Sequence, residues 1–253
     1  MNASSDSVSL THSKMISTVR FEQPERRNAL SVEMLETFIT TLQAVAERAD
    51  GTILRLEGSG SAFCAGIDLD AGRNDPEVLQ RLLELLSESM QLIRAMPRVV
   101  VAQVQGAAIA GGCALLSACD FACGEPGTKV GYPVTRVGLS AAVSVPTLAG
   151  SISPAATRGL LLKGSVIDAG QAHRINVLTH LAGSLEALPT VVDELCDELA
   201  TKEPVAMLRT KAWLNELDGS TDLVLHQAAL NHSLKSAQTD EATAMLEQNW
   251  KRK

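Results

Sequence analysis

Apolar positions along the chain follow two different periods, and the changes between them divide the chain into elements. In ISTVRF, residues 16–21, apolar and polar residues alternate as they do in strands, which predicts a strand ending before Pro24. After Ser31 the apolar residues recur every three or four positions, which predicts a helix. They are Leu35, Phe38, Ile39, Leu42, Val45 and Ala46. TILRLE, residues 52–57, returns to a strand pattern between two glycines.

The middle of the chain repeats this change of period. Asp75 and Pro76 are typical of the N-cap and first position of a helix, which should end at Pro97. VVVAQV, residues 99–104, is too apolar and too β-branched for an edge strand. AGGCALLSA, residues 110–118, predicts a short buried helix. DFACG, residues 120–124, predicts a further strand.

The last third of the chain is predicted to be almost entirely helical. One helix should begin at Ser153 and Pro154 and end near Gly164, and Asp168 should cap the next. The helices expected after residue 184 span 185–201, 204–217, 222–237 and 239–250. The order is therefore strands with interleaved helices, an α/β arrangement, followed by a helical tail.

The first 14 residues, MNASSDSVSLTHSK, are polar and rich in serine. They lack the apolar segment of a secretory signal, so we expect residues 1–14 to form a disordered leader. No stretch of about 18 apolar residues occurs, so we expect no membrane-spanning helix and no membrane partner.

Composition narrows the possible partners. The 253 residues carry a net charge of −7, and no run of basic residues is longer than Lys251–Lys253. Nucleic acid is therefore not an expected partner, because phosphate binding needs a basic face. None of the five cysteines forms a CxxC pair, and no histidine lies between His12 and His173. We expect small buried cysteines in a reducing cytoplasm, and no metal site.

Two glycine-containing loops are the strongest candidates for chemistry. SAFCAGIDL, residues 61–69, follows the strand at 52–57, and AIAGGCALL, residues 108–116, follows the strand at 99–104. A turn that leads into a helix exposes free backbone N–H groups, which bind negative charge. The glycine spacing matches neither phosphate-binding pattern. Two interpretations remain: close packing of a helix on a sheet, or an oxyanion hole built from one N–H of each loop.

Several segments together resemble the crotonase, or enoyl-CoA hydratase/isomerase, superfamily. The matching segments, in order, are PERRNALS at 24–31, AFCAGIDL at 62–69, VQGAAIAGGCALLSACDFA at 104–122, VGYPVTRVGL at 130–139, SVIDAGQAHRINVL at 165–178 and DEATAMLEQNWKRK at 240–253. The likeness runs from about residue 15 to the end of the chain.

The resemblance implies a fold, an assembly and a ligand. The fold is a spiral of ββα units with a helical C-terminal region, and the assembly is a homotrimer or homohexamer. Residues 15–183 would form the core with an acyl-CoA pocket, and residues 184–253 an oligomerisation region. Coenzyme A enters as part of an acyl-CoA thioester substrate, without a separate cofactor. The backbone N–H groups that match the family's donors to the thioester oxygen are those of Ile67 and Gly111.

Further residues are carried over as substrate-binding positions through the same motifs. They are Arg27, Ala65, Gly66, Asp68, Leu69, Gly112, Ala114, Val134 and Arg136. Family hydratases place one glutamate at the position of Ala114 and a second at the position of Val134, and this chain has neither. An acid/base group contributes about 10²–10⁴-fold to a rate, so we do not expect a standard hydratase.

Other residues could replace the lost carboxylates. Tyr132 should share a strand face with Val134, where its phenol could donate to substrate. Eight further residues are candidates for a catalytic or binding role, and each also has an ordinary structural interpretation. They are Arg136, Ser140, Ser144, Asp68, Glu84, Glu88, His173 and Asp120.

Two hypotheses stay open. The first is an enzyme that stabilises a thioester enolate, formed by decarboxylation or during double-bond isomerisation through a substitute carboxylate. The second is a non-catalytic relative that binds acyl-CoA or only oligomerises.

Overall fold

The computed structural model describes residues 3–4, 7–69 and 75–250. The strands are β1 (Ala3–Ser4), β2 (Val8–Ser13), β3 (Ile16–Phe21), β4 (Ile53–Gly58), β5 (Val99–Val104), β6 (Ala107–Ile109), β7 (Phe121–Gly124), β8 (Lys129–Gly131), β9 (Val166–Asp168) and β10 (His180–Leu181). The helices are α1 (Val32–Glu47), α2 (Pro76–Ala95), α3 (Gly111–Ala118), α4 (Val145–Ser151), α5 (Pro154–Lys163), α6 (Ala169–Arg174), α7 (Leu188–Ala200), α8 (Pro204–Asp218), α9 (Leu223–Ala237) and α10 (Asp240–Trp250). Three short 3₁₀ helices span Pro24–Arg26, Pro133–Val137 and Ala142–Ser144.

The strands form two sheets. The larger has the order β1-β2-β3-β4-β5-β7-β10, and the smaller has the order β6-β8-β9. In the larger sheet β3, β4, β5, β7 and β10 are parallel neighbours. In the smaller sheet β6 and β8 are parallel. Parallel neighbours need crossover connections, and the smaller sheet and the helices lie within these connections.

Successive turns of the chain add one segment to each sheet. The chain passes from β5 to β6 and then into α3, and from β7 to β8. An isolated parallel bridge between Cys64 and Ala108 places the segment after β4 beside β6 in the same way. The predicted spiral of ββα units is therefore confirmed.

Most of the core lies between the larger sheet and helices α1, α2 and α3. The predicted apolar face of α1 is buried there, and Phe38 packs at a ring-centroid distance of 5.0 Å from Phe21. On another part of the sheet, Val192 and Cys196 of α7 pack with Ile53 of β4 in a second buried cluster. Helix α7 is thus part of the protomer's own core, whatever its role in an assembly.

The N-terminal segment corrects one prediction. Residues 8–13 of the expected leader form β2, which pairs antiparallel with β3 in register Val8 to Phe21. Val8 and Leu10 face the core, while Thr11 is exposed. Serine and threonine therefore form the outward side of a strand here. Residues 1–2 and 5–6 lie outside the described residues.

The C-terminal helices agree with prediction to within about three residues, and α7–α10 follow the last strand. The predicted caps Asp75 and Asp168 each accept a backbone N–H in the first turn of the following helix. Ser31 and Ser153, where helices were predicted to begin, act as caps in the same way. Within the described ranges, no helix is both long and apolar enough to cross a bilayer.

Candidate active site

The first glycine loop runs as an extended segment between two others. The backbone N–H of Leu30 donates to the carbonyl of Gly66 at 2.8 Å, and that of Asp68 donates to the carbonyl of Leu30 at 2.9 Å. On the opposite side, the N–H of Ile109 donates to the carbonyl of Cys64 at 3.0 Å. Because Leu30 bonds to the residues on either side of Ile67, the Ile67 N–H is directed away from Leu30.

The second glycine loop contains another backbone N–H group without a protein acceptor, that of Gly111. Helix α3 begins at Gly111, and its first intrahelical bond runs from the Ala114 N–H to the Ala110 carbonyl at 2.9 Å. Ala110 is held at a positive φ of 50°, with its own N–H donating to the Gly131 carbonyl at 2.8 Å. The N–H of Gly111 therefore belongs to the unsatisfied first turn of the helix.

The two donor nitrogens lie close together on either side of a narrow gap. A β-carbon on Gly111 would lie 3.2 Å from the backbone nitrogen of Ile67, and one on Gly66 would lie 3.3 Å from the nitrogen of Gly111. Across the described residues, neither N–H donates to a protein acceptor. Two convergent donors of this kind can bind a single oxygen atom that carries negative charge.

Asn28 fixes the first loop, and sequence reasoning missed it. It is fully buried at a φ of 54°, and its side-chain amide nitrogen lies 3.0 Å from the Ser59 carbonyl, 2.9 Å from that of Ala62 and 3.2 Å from that of Phe63. Asparagine tolerates this left-handed conformation, and its short amide can satisfy loop carbonyls. An asparagine after three charged residues, and just before an apolar segment, was the available signal.

Three further predicted site residues, Arg27, Asp68 and Gly112, have structural contacts beside the first glycine loop. Arg27 is exposed, and its carbonyl accepts the N–H of Ala65 at 2.9 Å. The Asp68 carboxylate is buried and pairs with the Arg26 guanidinium at 2.5 Å. Gly112 needs its missing side chain, since a β-carbon there would lie 2.4 Å from the Cys64 carbonyl oxygen.

The two positions that carry glutamate in family hydratases hold apolar residues here and lie in apolar surroundings. Ala114 is 1 % exposed and belongs to the main core. Val134 is half-buried and packs with Ile67 and Leu69 on a separate apolar cluster. Neither side chain is ionisable, so neither position supplies an acid or a base.

Tyr132 does not lie where strand alternation predicted. Strand β8 ends at Gly131, and Pro133 begins a 3₁₀ helix, so Tyr132 and Val134 do not alternate along one strand. Tyr132 is 1 % exposed within the main core. Its hydroxyl makes no well-formed hydrogen bond to a described residue, although Cys113, Ser117 and Ser144 are close enough to influence its ionisation. Burial, more than the neighbouring Cys113, raises its pKa well above the ordinary value.

The remaining candidates are engaged elsewhere. Glu84 accepts from Gln80 at 2.8 Å and lies 4.0 Å from Arg81. Glu88 and Arg136 are exposed, and so is His173, whose Nδ1 lies 3.0 Å from the Leu178 carbonyl oxygen. The Ser140 hydroxyl accepts the Ala142 N–H, and Ser144 is buried beside Tyr132. The partners shown for Glu84 and His173 therefore lie outside the gap between Ile67 and Gly111.

Two cysteines border the glycine loops. Burial raises the pKa of Cys64 to about 12, against a smaller opposing effect of the Gly66 N–H. Burial likewise raises the pKa of Cys113 to about 12. Both thiols stay protonated near neutral pH, so neither is a thiolate nucleophile.

Asp120 belongs to a different part of the molecule. Its carboxylate accepts the Val100 N–H at 2.7 Å and pairs with the Lys211 ammonium at 2.6 Å. A cavity of about 620 Å³ opens beside this pair, between α8 and the ends of α3 and α4. Neither Ile67 nor Gly111 lines it, so it is distinct from the gap between the glycine loops.

Comparison with known proteins assigns the family. A sequence model of the Enoyl-CoA hydratase/isomerase family matches residues 11–249. The chain belongs to this family. A Thermus thermophilus protein named "Putative enoyl-CoA hydratase" is 31 % identical over 215 residues, which cover 81 % of this chain and 82 % of that protein. "Crotonyl-CoA hydratase" of Syntrophomonas wolfei is 28 % identical over 217 residues, covering 83 % of this chain and 82 % of the other.

Solved structures of the enoyl-CoA hydratase/isomerase family share the fold. An enoyl-CoA hydratase from Mycobacterium avium subsp. paratuberculosis superimposes with a TM-score of 0.87 at 19 % identity, covering 97 % of this chain and 99 % of the other. The crotonase architecture expected from the sequence motifs is thereby confirmed.

Proposed function

We propose that this protein binds an acyl-CoA thioester and stabilises negative charge on the thioester oxygen. The observation that carries this proposal is the convergence of the Ile67 and Gly111 N–H groups on one gap. The oxygen of a thioester carbonyl becomes an oxyanion when the adjacent carbon loses a group and an enolate forms. Loss of one preorganised donor of this kind raises the barrier by about 2.7–4 kcal/mol.

The reaction is not hydration of the usual kind. Hydration needs a base to activate water and an acid to protonate carbon, and Ala114 and Val134 supply neither. The Asp68 carboxylate is buried and already paired with Arg26. Decarboxylation of a malonyl-type thioester forms the enolate without a base, so it is compatible with the donors alone. Double-bond isomerisation also leads through an enolate, but it needs a substitute carboxylate to move the proton.

A second candidate is non-catalytic binding of acyl-CoA. It is favoured by Ala114 and Val134, which stand where family hydratases carry glutamate. Both candidates require thioester binding, and only the first requires turnover.

Binding and crotonyl-CoA hydration together test the proposal. We expect butyryl-CoA to bind by isothermal titration calorimetry and crotonyl-CoA to be hydrated poorly. The double variant Ala114→Glu, Val134→Glu should gain hydration over the parent. Hydration by the unaltered protein at about 10 s⁻¹ or faster would contradict the account, because that is an ordinary enzyme rate. Failure to bind any acyl-CoA would overturn it entirely.

We further propose the trimeric or hexameric assembly that the resemblance implies. Large apolar side chains are exposed on α8 and at the start of α9; they are Val205, Trp213, Leu214, Leu217, Leu223, Val224 and Leu225. Leu214 also lines the cavity beside Lys211. Such a patch is typical of an interaction surface. Light scattering that shows only monomer at micromolar concentration would contradict this assembly.

A further inference from the structure

The cavity beside Asp120 and Lys211 lies apart from the gap between the glycine loops. Its volume of about 620 Å³ falls within the roughly 300–1,000 Å³ of typical ligand pockets. Val99 and Phe121, the first residues of β5 and β7, line the cavity, whereas the glycine loops lie beyond the carboxyl ends of β4 and β5. Because these strands are parallel, the cavity and the gap lie at opposite edges of the larger sheet, separated by a strand length of about 17 Å.

Arg94, in the last turn of α2, is a buried cation on the wall of this cavity, which we call the Arg94 cavity. Arg94 is 6 % exposed, and its Nη2 donates to the Ser117 carbonyl at 2.7 Å and to the Ser151 hydroxyl at 2.8 Å. Its Nε is enclosed without an acceptor, and its Nη1 also has no acceptor among the described residues but is not enclosed. No described carboxylate pairs with the guanidinium. Nη1 is therefore available to a molecule in the cavity.

Four charged side chains line the Arg94 cavity, and two of them form an ion pair, Lys211 with Asp120 at 2.6 Å. Asp218 is exposed and so lies at the mouth, where its carboxylate accepts the Ser220 N–H at 2.8 Å. The carbonyls that Arg94 contacts belong to the C-terminal ends of α3 and α4, and their partial negative charge offsets part of the guanidinium charge. Among the lining residues inside the mouth, Arg94 is the charged group without an ionic partner.

Much of the remaining lining is apolar. Its large apolar side chains include those of Leu116, Leu148, Ile152, Val177, Met207 and Leu214. A carboxylate on an apolar body matches both parts of this lining. Hydrogen bonds to ionised groups are about twice as strong as those between neutral groups, so the carboxylate favours Nη1 of Arg94. The apolar body gains free energy in proportion to the area that it buries.

We propose that the Arg94 cavity is a second binding site, for a small monocarboxylate with an apolar body, such as a short-chain fatty acid. The carboxylate accepts from Arg94, and the chain lies against the apolar wall. This inference goes beyond the proposed function and does not depend on it, because neither Ile67 nor Gly111 lines the cavity.

Three six-carbon molecules with different head groups test the proposal: hexanoate, 1-hexanol and hexylamine. Isothermal titration calorimetry on the unaltered protein at neutral pH should show hexanoate binding at least about tenfold more tightly than 1-hexanol, because only the carboxylate forms a charge-assisted bond to Arg94. Hexylamine should bind more weakly than 1-hexanol, because its cation meets the guanidinium. Binding of hexanoate no tighter than that of either neighbour in this series would overturn the proposal.

Competition with butyryl-CoA separates this site from the proposed thioester site. Saturating butyryl-CoA should leave the affinity for hexanoate within about twofold. Mutual exclusion of the two ligands would place hexanoate in the gap and overturn the proposal. If butyryl-CoA does not bind at all, the proposed function fails, while the comparison of the three six-carbon molecules still decides this inference.

Substitution of Arg94 locates the carboxylate. Arg94→Met removes the cation and should weaken hexanoate binding by about tenfold or more, so that the preference over 1-hexanol is lost. The matched control is Arg81→Met, which removes the same charge from an exposed position of α2 outside the cavity and should leave the affinity within about threefold. Equal losses in the two variants would show that hexanoate responds to net charge and does not contact Arg94.

A second variant keeps the proposal testable if Arg94→Met does not fold. Met207→Trp enlarges a half-buried side chain of α8 that lines the cavity, and it should weaken both hexanoate and 1-hexanol by about tenfold or more. Its control is Val205→Trp, at an exposed position of α8 that does not line the cavity. Unchanged hexanoate affinity in a folded Met207→Trp would place the ligand elsewhere. If a neighbouring copy fills the cavity in the assembled protein, hexanoate does not bind, and the proposal is wrong.

Discussion

The backbone nitrogen of Ile67 lies 3.2 Å from the place where a β-carbon of Gly111 would be. Two residues that are 44 positions apart in the sequence thus bring their backbone nitrogens close to the same small volume. Each N–H lacks a backbone acceptor for a different reason. Ile67 lies in an extended segment in which Gly66 and Asp68, on either side of it, bond to Leu30, and Gly111 is the first residue of a helix. The glycines beside them keep that volume open.

Gly66→Ala should damage both the fold and acyl-CoA binding. Gly66 has a φ of 103°, and a β-carbon there would lie 2.7 Å from the carbonyl oxygen of Ile109. The backbone strain alone costs about 1–3 kcal/mol, and the contact adds to this cost. We expect a lower midpoint of denaturant unfolding and lost binding of butyryl-CoA.

Gly159→Ala is the matched control for this substitution. A β-carbon on Gly159 would meet nothing within 4 Å, and the residue lies inside α5. Alanine should therefore raise stability by about 0.5–1 kcal/mol. If both variants unfold at the same denaturant concentration as the parent, the close packing of the glycine loops described above is wrong.

Local signals predicted much of this fold. The N-cap side chains at Ser31, Asp75, Ser153 and Asp168 and the four C-terminal helices could be predicted because caps and helical periodicity depend on neighbours in sequence. The overlooked strand β2 also had a local signal, since Val8 and Leu10 alternate with polar residues. Its serines and threonines obscured the pattern.

Long-range contacts explain what could not be predicted. The placement of Tyr132 in the core depends on Pro133, which ends β8 and starts a 3₁₀ helix, and on buried neighbours from α3. The three carbonyls that Asn28 satisfies come from residues 31 to 35 positions away. The apolar cluster that includes Val134 brings Leu79 of α2 together with Ala242 of α10, which no periodicity reveals.

Tyr132→Phe should leave butyryl-CoA affinity within about threefold of the parent. The hydroxyl is buried without a well-formed hydrogen bond, so its removal should change stability by less than about 1 kcal/mol, with stabilisation the expected sign. A large loss of binding or turnover in a variant with unchanged melting temperature would instead establish a direct role for the phenol.

The same variant should alter the alkaline limit of stability. Burial raises the pKa of Tyr132 in the folded protein above its value in the unfolded chain. The folded state then holds the phenolic proton more tightly, so the associated stability is complete below the unfolded pKa and is lost as pH rises above about 10. Tyr132→Phe should therefore unfold at a higher pH than the parent, as followed by circular dichroism. An unchanged alkaline midpoint would contradict this assignment.

Lys211→Met should destabilise the protein by about 3 kcal/mol or more. It leaves the Asp120 carboxylate, whose side chain is 16 % exposed, with its Val100 N–H donor but without its cation. Arg48→Ala serves as the control, because it breaks the more exposed pair with Asp50, which should cost less than about 1 kcal/mol. Urea unfolding of both variants measures the difference, and equal costs would show that burial of the Asp120–Lys211 pair is unimportant.

The pairing of Ile67 and Gly111 is tested most directly by the affinity of the protein for butyryl-CoA relative to the thioether S-butyl-CoA, which lacks the carbonyl oxygen. With about 0.5–1.5 kcal/mol for each of two hydrogen bonds, the parent should prefer the thioester by roughly 5- to 150-fold. Gly111→Ala keeps the N–H but adds a β-carbon 3.2 Å from the Ile67 nitrogen, inside the gap between the two donors. We therefore expect this variant to lose most of the preference for the thioester. Equal affinity of the parent for thioester and thioether would contradict the oxyanion hole.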